Sequence, residues 1–334
     1  MKTPSEPHQS DPAFARVQLV TIDSDMAGQR IDNFLVARMK GVPRTHIYKM
    51  LRKGEIRVNK GRIKADYRLQ EADVVRLPPL RVSAKAPVGA LSQGLGRLLQ
   101  QSVLYEDDGL LVLNKPPNLA VHGGSGVSLG LIEALRQLRP EARYLELVHR
   151  LDRDTSGCIM VAKKRSFLRY LQQLLRDKSA GKGGIGKRYQ ALVVGAWPAH
   201  KTQINAPLIK LEQSGGLERI VKVHPEGKPS LTRVRRLSVY QQGVSLIEAE
   251  PVTGRTHQIR VHAQLQGHPL VGDEKYGDDQ MNLAMRMFGV KRLFLHASAL
   301  NLNLPNGEPL VVAAPLPDDL AQVLNKLTLL ESEQ

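Results

Sequence analysis

The sequence predicts an α+β protein in which a small N-terminal domain precedes a larger domain with a mixed, largely antiparallel sheet. Three observations support this prediction. After residue 100, strand-like and helix-like stretches follow one another without the regular strand–helix–strand order of a parallel sheet. The 334 residues are 42% apolar and 24% charged, so a large packed core is feasible. A stretch rich in Gly, Pro and Ala at residues 81–100 is interpreted as a linker between the two domains.

The N-terminal part divides into a tail and a compact module. Residues 1–18 are polar and rich in proline, and we expect them to be a disordered tail. The module at residues 19–80 contains two stretches with apolar residues at helical spacing and two short alternating stretches. The predicted elements are a helix at Ile31–Leu35, a helix between Pro43 and Gly54, a strand at Ile56–Val58 with a turn at Asn59–Gly61, and a strand at Val74–Leu77.

Positive charge is concentrated in this module. The whole chain carries 48 Lys and Arg against 32 Asp and Glu, a net charge of +16. Between residues 44 and 68, nine basic residues stand against Glu55 and Asp66. A solvated basic face would explain this charge, but we favour a surface that contacts nucleic-acid phosphates, because bound Lys and Arg release counterions. The candidate contact residues are Arg44, Lys49, Arg52, Lys53, Arg57, Lys60, Arg62 and Lys64.

Composition narrows the class of partner and of site. Only 4% of the residues are aromatic, which favours shape and backbone recognition of structured RNA over base stacking. A single cysteine excludes an intramolecular disulfide framework and a multi-cysteine zinc site. Apolar runs stay shorter than the roughly 18 residues of a membrane span, and the N-terminus lacks a signal-peptide core. We therefore expect a cytoplasmic protein without a membrane partner.

Residues 101–330 are interpreted as the second domain. Its predicted elements are strands at Leu110–Leu113, Cys158–Val161, Tyr189–Val194 and Val244–Ala249, and helices at Leu129–Leu138, Phe167–Leu175 and Gln258–Leu265. The segment Asp177–Lys187 is rich in Gly and Lys, and we expect a mobile loop there.

The densest polar cluster of the sequence is HRLDRDTSG at His149–Gly157, between two apolar stretches. A loop that joins buried elements is a common place for catalytic groups. Asp152 and Asp154 could hold Mg²⁺ or form an aspartyl phosphate, but the usual D-x-D-x-T pattern would need threonine where Ser156 stands, and the flanking arginines oppose a cation. Ser156 lacks the G-x-S-x-G elbow of a serine nucleophile.

The histidines do not form a convincing metal site either. His257 and His262 are five residues apart, so a helix or a strand would direct them to different faces. For His149 and His257 we favour hydrogen-bonding structural roles over direct catalysis. What remains is a single carboxylate beside an arginine, which stays ionised and can act as nucleophile or base without a cofactor. Arg260, in the first turn of a predicted helix, is a candidate partner or else a plain surface residue.

The cluster HRLDRDTSG resembles the signature motif of the RluA family of pseudouridine synthases. Five further segments match that family in the same order: Asn114–Pro116, Val121–Gly124, Lys187–Val193, Gly254–His262 and Leu293–Ala297. Residues 19–80 resemble the S4-type RNA-binding domain. The combination resembles family members that modify 23S ribosomal RNA. The implied fold is therefore a pseudouridine synthase catalytic domain preceded by an S4-type domain.

The resemblance implies a role for four residues. It assigns Asp152 as the catalytic aspartate, Tyr189 as the tyrosine beside the flipped base, and Arg260 as the partner of the carboxylate. Arg150 would contact the RNA backbone and hold the target nucleotide out of the stack, which the reaction requires because the base must rotate. Asp154 has no assignment and is treated as structural or RNA-facing.

The implied reaction is the isomerisation of uridine to pseudouridine without cofactor or metal. The implied partner is 23S ribosomal RNA or an assembling large subunit, and we expect a monomer. Two other functions remain open at this point. A non-catalytic RNA-binding factor would not need Asp152, Tyr189 and Arg260, and a Mg²⁺-dependent phosphatase or nuclease would need a further acidic cluster.

Overall fold

The computed structural model describes a chain that divides into two compact units, residues 1–87 and residues 88–334. The described residues are 16–39, 42–79, 89–123, 127–179, 181, 184–212 and 219–330. Residues 1–15 of the predicted tail and residues 81–88 of the predicted linker lie outside them. Within the described ranges, no helix is long and apolar enough to cross a membrane.

The first unit packs two helices on a small antiparallel sheet. Its elements are β1 (Gln18–Thr21), α1 (Ile31–Arg38), α2 (Arg44–Lys53), β2 (Arg57–Val58) and β3 (Val74–Leu77), with strand order β1-β3-β2. Both predicted helices and both predicted strands are present. The helix α2 ends because Gly54 adopts a left-handed backbone with φ +70°, which only glycine adopts without strain. β1 was not predicted, because it exposes Leu19 and buries only Val20.

The second unit contains the other α-helices and strands of the described residues. Its first half comprises α3 (Gln93–Gln101), β4 (Val103–Glu106), β5 (Leu110–Lys115), α4 (Leu131–Leu138), β6 (Glu146–Leu147), β7 (Ser156–Ala162), α5 (Arg165–Ser179) and β8 (Gly186–Val194). Its second half comprises β9 (Gln203–Asn205), β10 (Leu208–Glu212), β11 (Arg219–Val223), β12 (Leu231–Tyr240), β13 (Val244–Pro251), α6 (Gln258–Leu265), α7 (Asp279–Met285), β14 (Leu295–Asn303), β15 (Pro309–Ala313) and α8 (Asp318–Lys326).

A ten-stranded sheet forms the core of the second unit. Its main order is β4-β5-β7-β14-β8-β13-β12-β9, with β6 paired to β7 and β15 to β14. Among the strand pairs of the described residues, β7 and β14 alone run parallel, with His296 beside Ser156. The predicted mixed and largely antiparallel sheet is confirmed. The central strands are buried on both faces, and every residue of β7 is buried, so they read as continuous apolar runs.

Two predictions about irregular segments are wrong. The predicted linker at 81–100 contains α3, whose first turn is capped by the Ser92 side chain, and whose Leu99 is buried in the core of the second unit. The predicted loop at 177–187 is much shorter than expected, because α5 continues to Ser179 and β8 begins at Gly186. Glycine at 184 reflects close packing rather than flexibility, since it has φ +121° and a Cβ there would lie 2.1 Å from the Leu174 carbonyl oxygen.

Candidate active site

Asp152 lies in the loop between β6 and β7, and a buried lysine fixes this loop. Lys115 is fully buried, and its Nζ donates to the carbonyl oxygens of Pro116, Leu119 and Arg153 at 2.8–2.9 Å. Burial lowers the pKa of Lys115 to about 7. The lysine therefore ties the segment after β5 to the loop that carries Asp152. In the sequence, Lys115 belongs to the matching segment Asn114–Pro116, and nothing in its pattern predicts this role.

The glycine that ends the HRLDRDTSG segment is required by the packing of β7 against β14. Gly157 has φ +109°, and a Cβ there would lie 2.2 Å from the Ala297 carbonyl oxygen. Only glycine permits both this backbone and this approach. The contact fixes where β7 begins, and with it the loop that precedes the strand.

The Asp152 side chain is 21% exposed and faces two cationic or polar neighbours. Arg260 Nη1 lies 3.5 Å from Asp152 Oδ2, and His257 Nε2 lies 3.7 Å from the same oxygen. Both neighbours come from the turn and first helical residues of α6. The structure thus brings Asp152 and Arg260 together across 108 positions of sequence.

A second carboxylate, which the sequence analysis missed, holds Arg260 more closely. Arg260 Nε and Nη2 each donate to one oxygen of Asp273 at 2.7 Å, and the Asp273 side chain is fully buried. Asp273 Oδ1 also accepts from the backbone N–H groups of Lys275 and Tyr276. This two-point pair with Asp273 is stronger than the single 3.5 Å contact between Arg260 and Asp152. Asp273 therefore sets the direction of the guanidinium, and Asp152 receives the remaining Nη1.

His257 is oriented by Tyr276. The Tyr276 hydroxyl accepts from Val221 N–H at 3.0 Å and lies 2.8 Å from His257 Nδ1. The hydroxyl can donate to Nδ1 or accept from it, so the direction of this hydrogen bond depends on the tautomer of His257, whose Nε2 lies on the side of Asp152. Burial lowers the pKa of His257, partly opposed by the charge of Asp152. His257 also has a left-handed backbone, with φ 52° and ψ 20°, which is strained for a residue with a Cβ.

A cavity of about 490 Å³ connects these groups with Tyr189. Its walls come from the loop at 149–155, the C-terminal part of α5, the start of β8 and the segment 251–260. Tyr189 is 7% exposed, and burial raises its pKa, with the field of Asp152 adding to the effect. The phenol is therefore neutral at neutral pH. Arg150 also lines the cavity and is exposed, so all four residues singled out by the resemblance meet at one cavity.

The polar residues of the alternative chemistries are engaged elsewhere. Asp154 accepts a hydrogen bond from Arg153 Nε at 2.9 Å. The buried hydroxyl of Ser156 lies 3.0 Å from His296 Nδ1. His262 is buried between Thr232 and the Ala206 carbonyl oxygen. In the part of the chain that the structure describes, no group of three or more His, Cys, Asp and Glu side chains is placed to hold a metal ion.

The basic residues proposed to contact nucleic acid are all exposed on the first unit. Lys53 lies 3.9 Å from Glu55, and Arg57 donates to the backbone oxygens of Gly54 and Lys60. These contacts leave the surface strongly positive. The other six candidates are Arg44, Lys49, Arg52, Lys60, Arg62 and Lys64.

Two known families, several relatives and a solved structure match this chain. The family described as RNA pseudouridylate synthase matches residues 109–265, and the S4 domain family matches residues 29–75. The chain is 54% identical to ribosomal large subunit pseudouridine synthase C of Pasteurella multocida, over 93% of this chain and 94% of the relative. It is 55% identical to the protein of the same name from Yersinia pestis, over 92% and 95%. A solved structure, human RNA pseudouridylate synthase domain containing 4, is 26% identical with a TM-score of 0.58, covering 71% of this chain and 97% of that one.

Proposed function

The chain belongs to the RNA pseudouridylate synthase family, and we propose that it isomerises specific uridines of 23S ribosomal RNA to pseudouridine. Relatives that are more than half identical over nearly their whole length are named for the large ribosomal subunit. The N-terminal S4 domain and its exposed basic residues support an RNA substrate. The working form is a monomer in the cytoplasm, acting on free 23S RNA or on an assembling subunit.

The reaction needs no cofactor, because its atoms and electrons balance within one nucleotide. The bond between N1 of the base and C1′ of the ribose breaks, the base rotates, and a bond between C5 and C1′ forms. The hydrogen on C5 is lost, and N1 gains one. The protein must therefore hold a flipped nucleotide, assist the bond cleavage and move one proton.

The observation that carries the proposal is the Asp152 carboxylate, partly exposed to the cavity and held beside Arg260. Asp152 engages the ribose or the base while the glycosidic bond breaks. Arg260, oriented by Asp273, lies 3.5 Å from this carboxylate at the cavity and holds it in position. A nucleophile placed in this way reacts without a further activating base.

Tyr189 and Arg150 complete the proposed site. The neutral phenol of Tyr189 packs beside the base and takes part in the transfer of the C5 proton. Arg150 is exposed, so it contacts the RNA backbone and stabilises the flipped nucleotide. The eight basic residues of the first unit supply further phosphate contacts.

Pseudouridine mapping of ribosomal RNA from a strain that lacks the gene tests the proposal. We expect specific large-subunit pseudouridines to disappear, and to return with the wild-type gene but not with Asp152→Ala. Asp154→Ala is the matched control, because Asp154 lies in the same loop and pairs with Arg153 instead. An unchanged large-subunit map would reject the ribosomal substrate and direct the search to transfer RNA.

Three measurements on purified protein separate the remaining alternatives: pseudouridine formation, RNA binding and the effect of chelating divalent cations. An Asp152→Ala variant that still forms pseudouridine would overturn the assignment of the catalytic group. If RNA binding persists and neither the wild type nor the variant forms product, the chain is a binding factor. Phosphate release or RNA cleavage that stops on chelation of divalent cations, without pseudouridine formation, would favour the phosphatase or nuclease chemistry.

A further inference from the structure

Lys187 is a buried lysine in the cavity wall to which the proposed reaction gives no role. Along β8, Lys187 and Tyr189 point to the buried face, while Arg188 between them is exposed. Lys187 is 9% exposed and lines the cavity. Its Nζ forms no hydrogen bond or ion pair with any residue that the structure describes. A buried ammonium without a counter-charge is costly, and proteins normally pair such a group.

The surroundings of Lys187 add positive charge rather than removing it. Lys178 on α5 is the charged neighbour whose field acts on Lys187 within the described residues, and it is itself paired with Glu250 at 2.8 Å. Burial, and then Lys178, lower the pKa of Lys187 to about 8. Lys187 in turn acts on His149, whose pKa falls to about 3, mainly through burial. His149 is therefore neutral, and the charge of Lys187 has no partner among the described residues.

Lys187 lines the cavity beside a glycine, Gly254. A Cβ on Gly254 would lie 3.8 Å from Lys187 Nζ, and Gly254 is exposed. Bare backbone at this point lets a ligand approach the ammonium closely. The opening faces the segment between β13 and α6, which also carries Arg255 and His257.

We propose that Lys187 Nζ binds one phosphate of the RNA strand that carries the target nucleotide, approaching past Gly254. This inference rests on the proposed function, in which the occupant of the cavity is RNA. A phosphodiester supplies one full negative charge per nucleotide, so it neutralises the ammonium, whereas a carbonyl oxygen of uracil does not. Lys187 is thus a substrate-binding residue, and the stability lost by burying its charge is recovered when RNA binds.

The first experiment measures RNA affinity in the Asp152→Ala background, so that no reaction interferes. The probe is a synthetic RNA hairpin around a mapped target uridine, with a neutral methylphosphonate placed at each linkage in turn. We expect Lys187→Gln to lower the RNA affinity on the order of tenfold to hundredfold. The slope of log affinity against log salt concentration should become smaller by about 1, because one phosphate contact is lost. At one linkage, the methylphosphonate should lower the RNA affinity of the parent protein but should not lower the affinity of Lys187→Gln any further.

Arg188→Gln is the matched control, since Arg188 is the next residue of the strand and faces away from the cavity. It should keep the full sensitivity to that methylphosphonate. If the methylphosphonate at each linkage lowers the RNA affinity of Lys187→Gln as much as that of the parent, Lys187 does not contact a phosphate. Lys187→Gln is also made in the protein that retains Asp152; if this variant loses turnover while its RNA affinity is unchanged, Lys187 contacts the base and not a phosphate.

A pH series gives an independent readout. Affinity of the parent should fall as pH rises from 7 to 9, by up to about tenfold, because the ammonium of the free protein loses its proton near pH 8. Lys187→Arg should remove this decline. The other charged or titratable side chains that line the cavity are His149, Arg150, Arg176, Lys178, Tyr189, Arg255, His257 and Arg260. Asp152 also lines it but is replaced by alanine in this background, and Glu250 pairs with Lys178.

Stability separates a binding lysine from a structural one. Without RNA, Lys187→Met should leave the free energy of unfolding unchanged or raise it, because it removes an unpaired buried charge. A clear loss of stability would mean that the ammonium has a structural partner, and would overturn the proposal. If mapping finds no ribosomal target, the proposed function fails, while affinity for bulk ribosomal RNA and its salt slope still test Lys187.

Discussion

Replacing Asp273 by Asn tests whether Asp273 orients the arginine of the candidate active site. The carboxylate is fully buried and accepts from Arg260 Nε and Nη2 at 2.7 Å. Asparagine keeps one oxygen for the backbone N–H groups of Lys275 and Tyr276 but removes the charge and one acceptor for the guanidinium. Arg260 is then left with Asp152 as its neighbouring carboxylate, at 3.5 Å.

Two effects of Asp273→Asn should be separable. Removing one partner of a buried ion pair costs about 3–5 kcal/mol when nothing replaces it, and the retained amide oxygen should reduce this to about 2–3 kcal/mol. The chemical step should slow by about 10–100-fold, because the guanidinium no longer holds Asp152 in one position. RNA affinity should change little, since Asp273 is buried and does not line the cavity.

The assays are urea unfolding for stability and single-turnover release of tritium from C5 of uridine in the RNA for chemistry. Asp319→Asn is the control, because Asp319 also forms a two-point pair, with Arg292, but is 47% exposed. Asp319→Asn should lower the free energy of unfolding by about 1 kcal/mol or less and leave the single-turnover rate unchanged. If Asp273→Asn lowers stability and keeps the full rate, Asp273 is structural only and another contact orients Arg260.

Three further predictions concern single positions. Tyr189→Phe should lower the single-turnover rate by about 100-fold or more with little change in RNA affinity, and a rate near that of the wild type would remove the phenol from proton transfer. Burial lowers the pKa of His149 to about 3 and of His296 to about 4, so the unfolded chain binds protons first as pH falls below 6.5. Protonation of each histidine in the unfolded chain should therefore lower the free energy of unfolding by about 2 kcal/mol between pH 7 and pH 5. Urea unfolding, measured by fluorescence of the single tryptophan at each pH, tests this, and a free energy that does not change with pH would contradict it. Gly157→Ala should cost about 3–5 kcal/mol and Gly28→Ala only about 1–2 kcal/mol, because both have positive φ but only the first lacks space for a methyl group. Circular dichroism in urea compares them, and equal losses would refute the steric argument.

The sequence predicted features that depend on local pattern. Apolar spacing located α2 and α6, and the left-handed glycine after α2 marked its end. The HRLDRDTSG segment pointed to Asp152 through its resemblance to a family signature motif, and the fully buried strand β7 overlaps its last two residues. These signals are contained in a few adjacent residues, so a single sequence is enough to find them.

The contacts that complete the site could not be predicted in the same way. Asp273 and Tyr276 lie in an ordinary polar stretch, and nothing in their spacing indicates that one holds Arg260 and the other His257. The strand order of the sheet could not be predicted from the sequence either, because the pairing between β7 and β14 joins segments that are far apart in the chain. Gly and Lys before Tyr189 suggested a loop, since composition does not distinguish a flexible glycine from one required by close packing.

The central position of β14 has a consequence for biosynthesis. This strand, residues 295–303, lies between β7 and β8 in the sheet, yet it is translated long after both of them. The N-terminal unit can fold as soon as it leaves the ribosome, whereas β7 and β8 must wait with unpaired edges until β14 arrives. A nascent chain thus exposes its S4 domain before the ten-stranded sheet of the second unit is complete. A chain that terminates before residue 295 contains the S4 domain but lacks the central strand of that sheet.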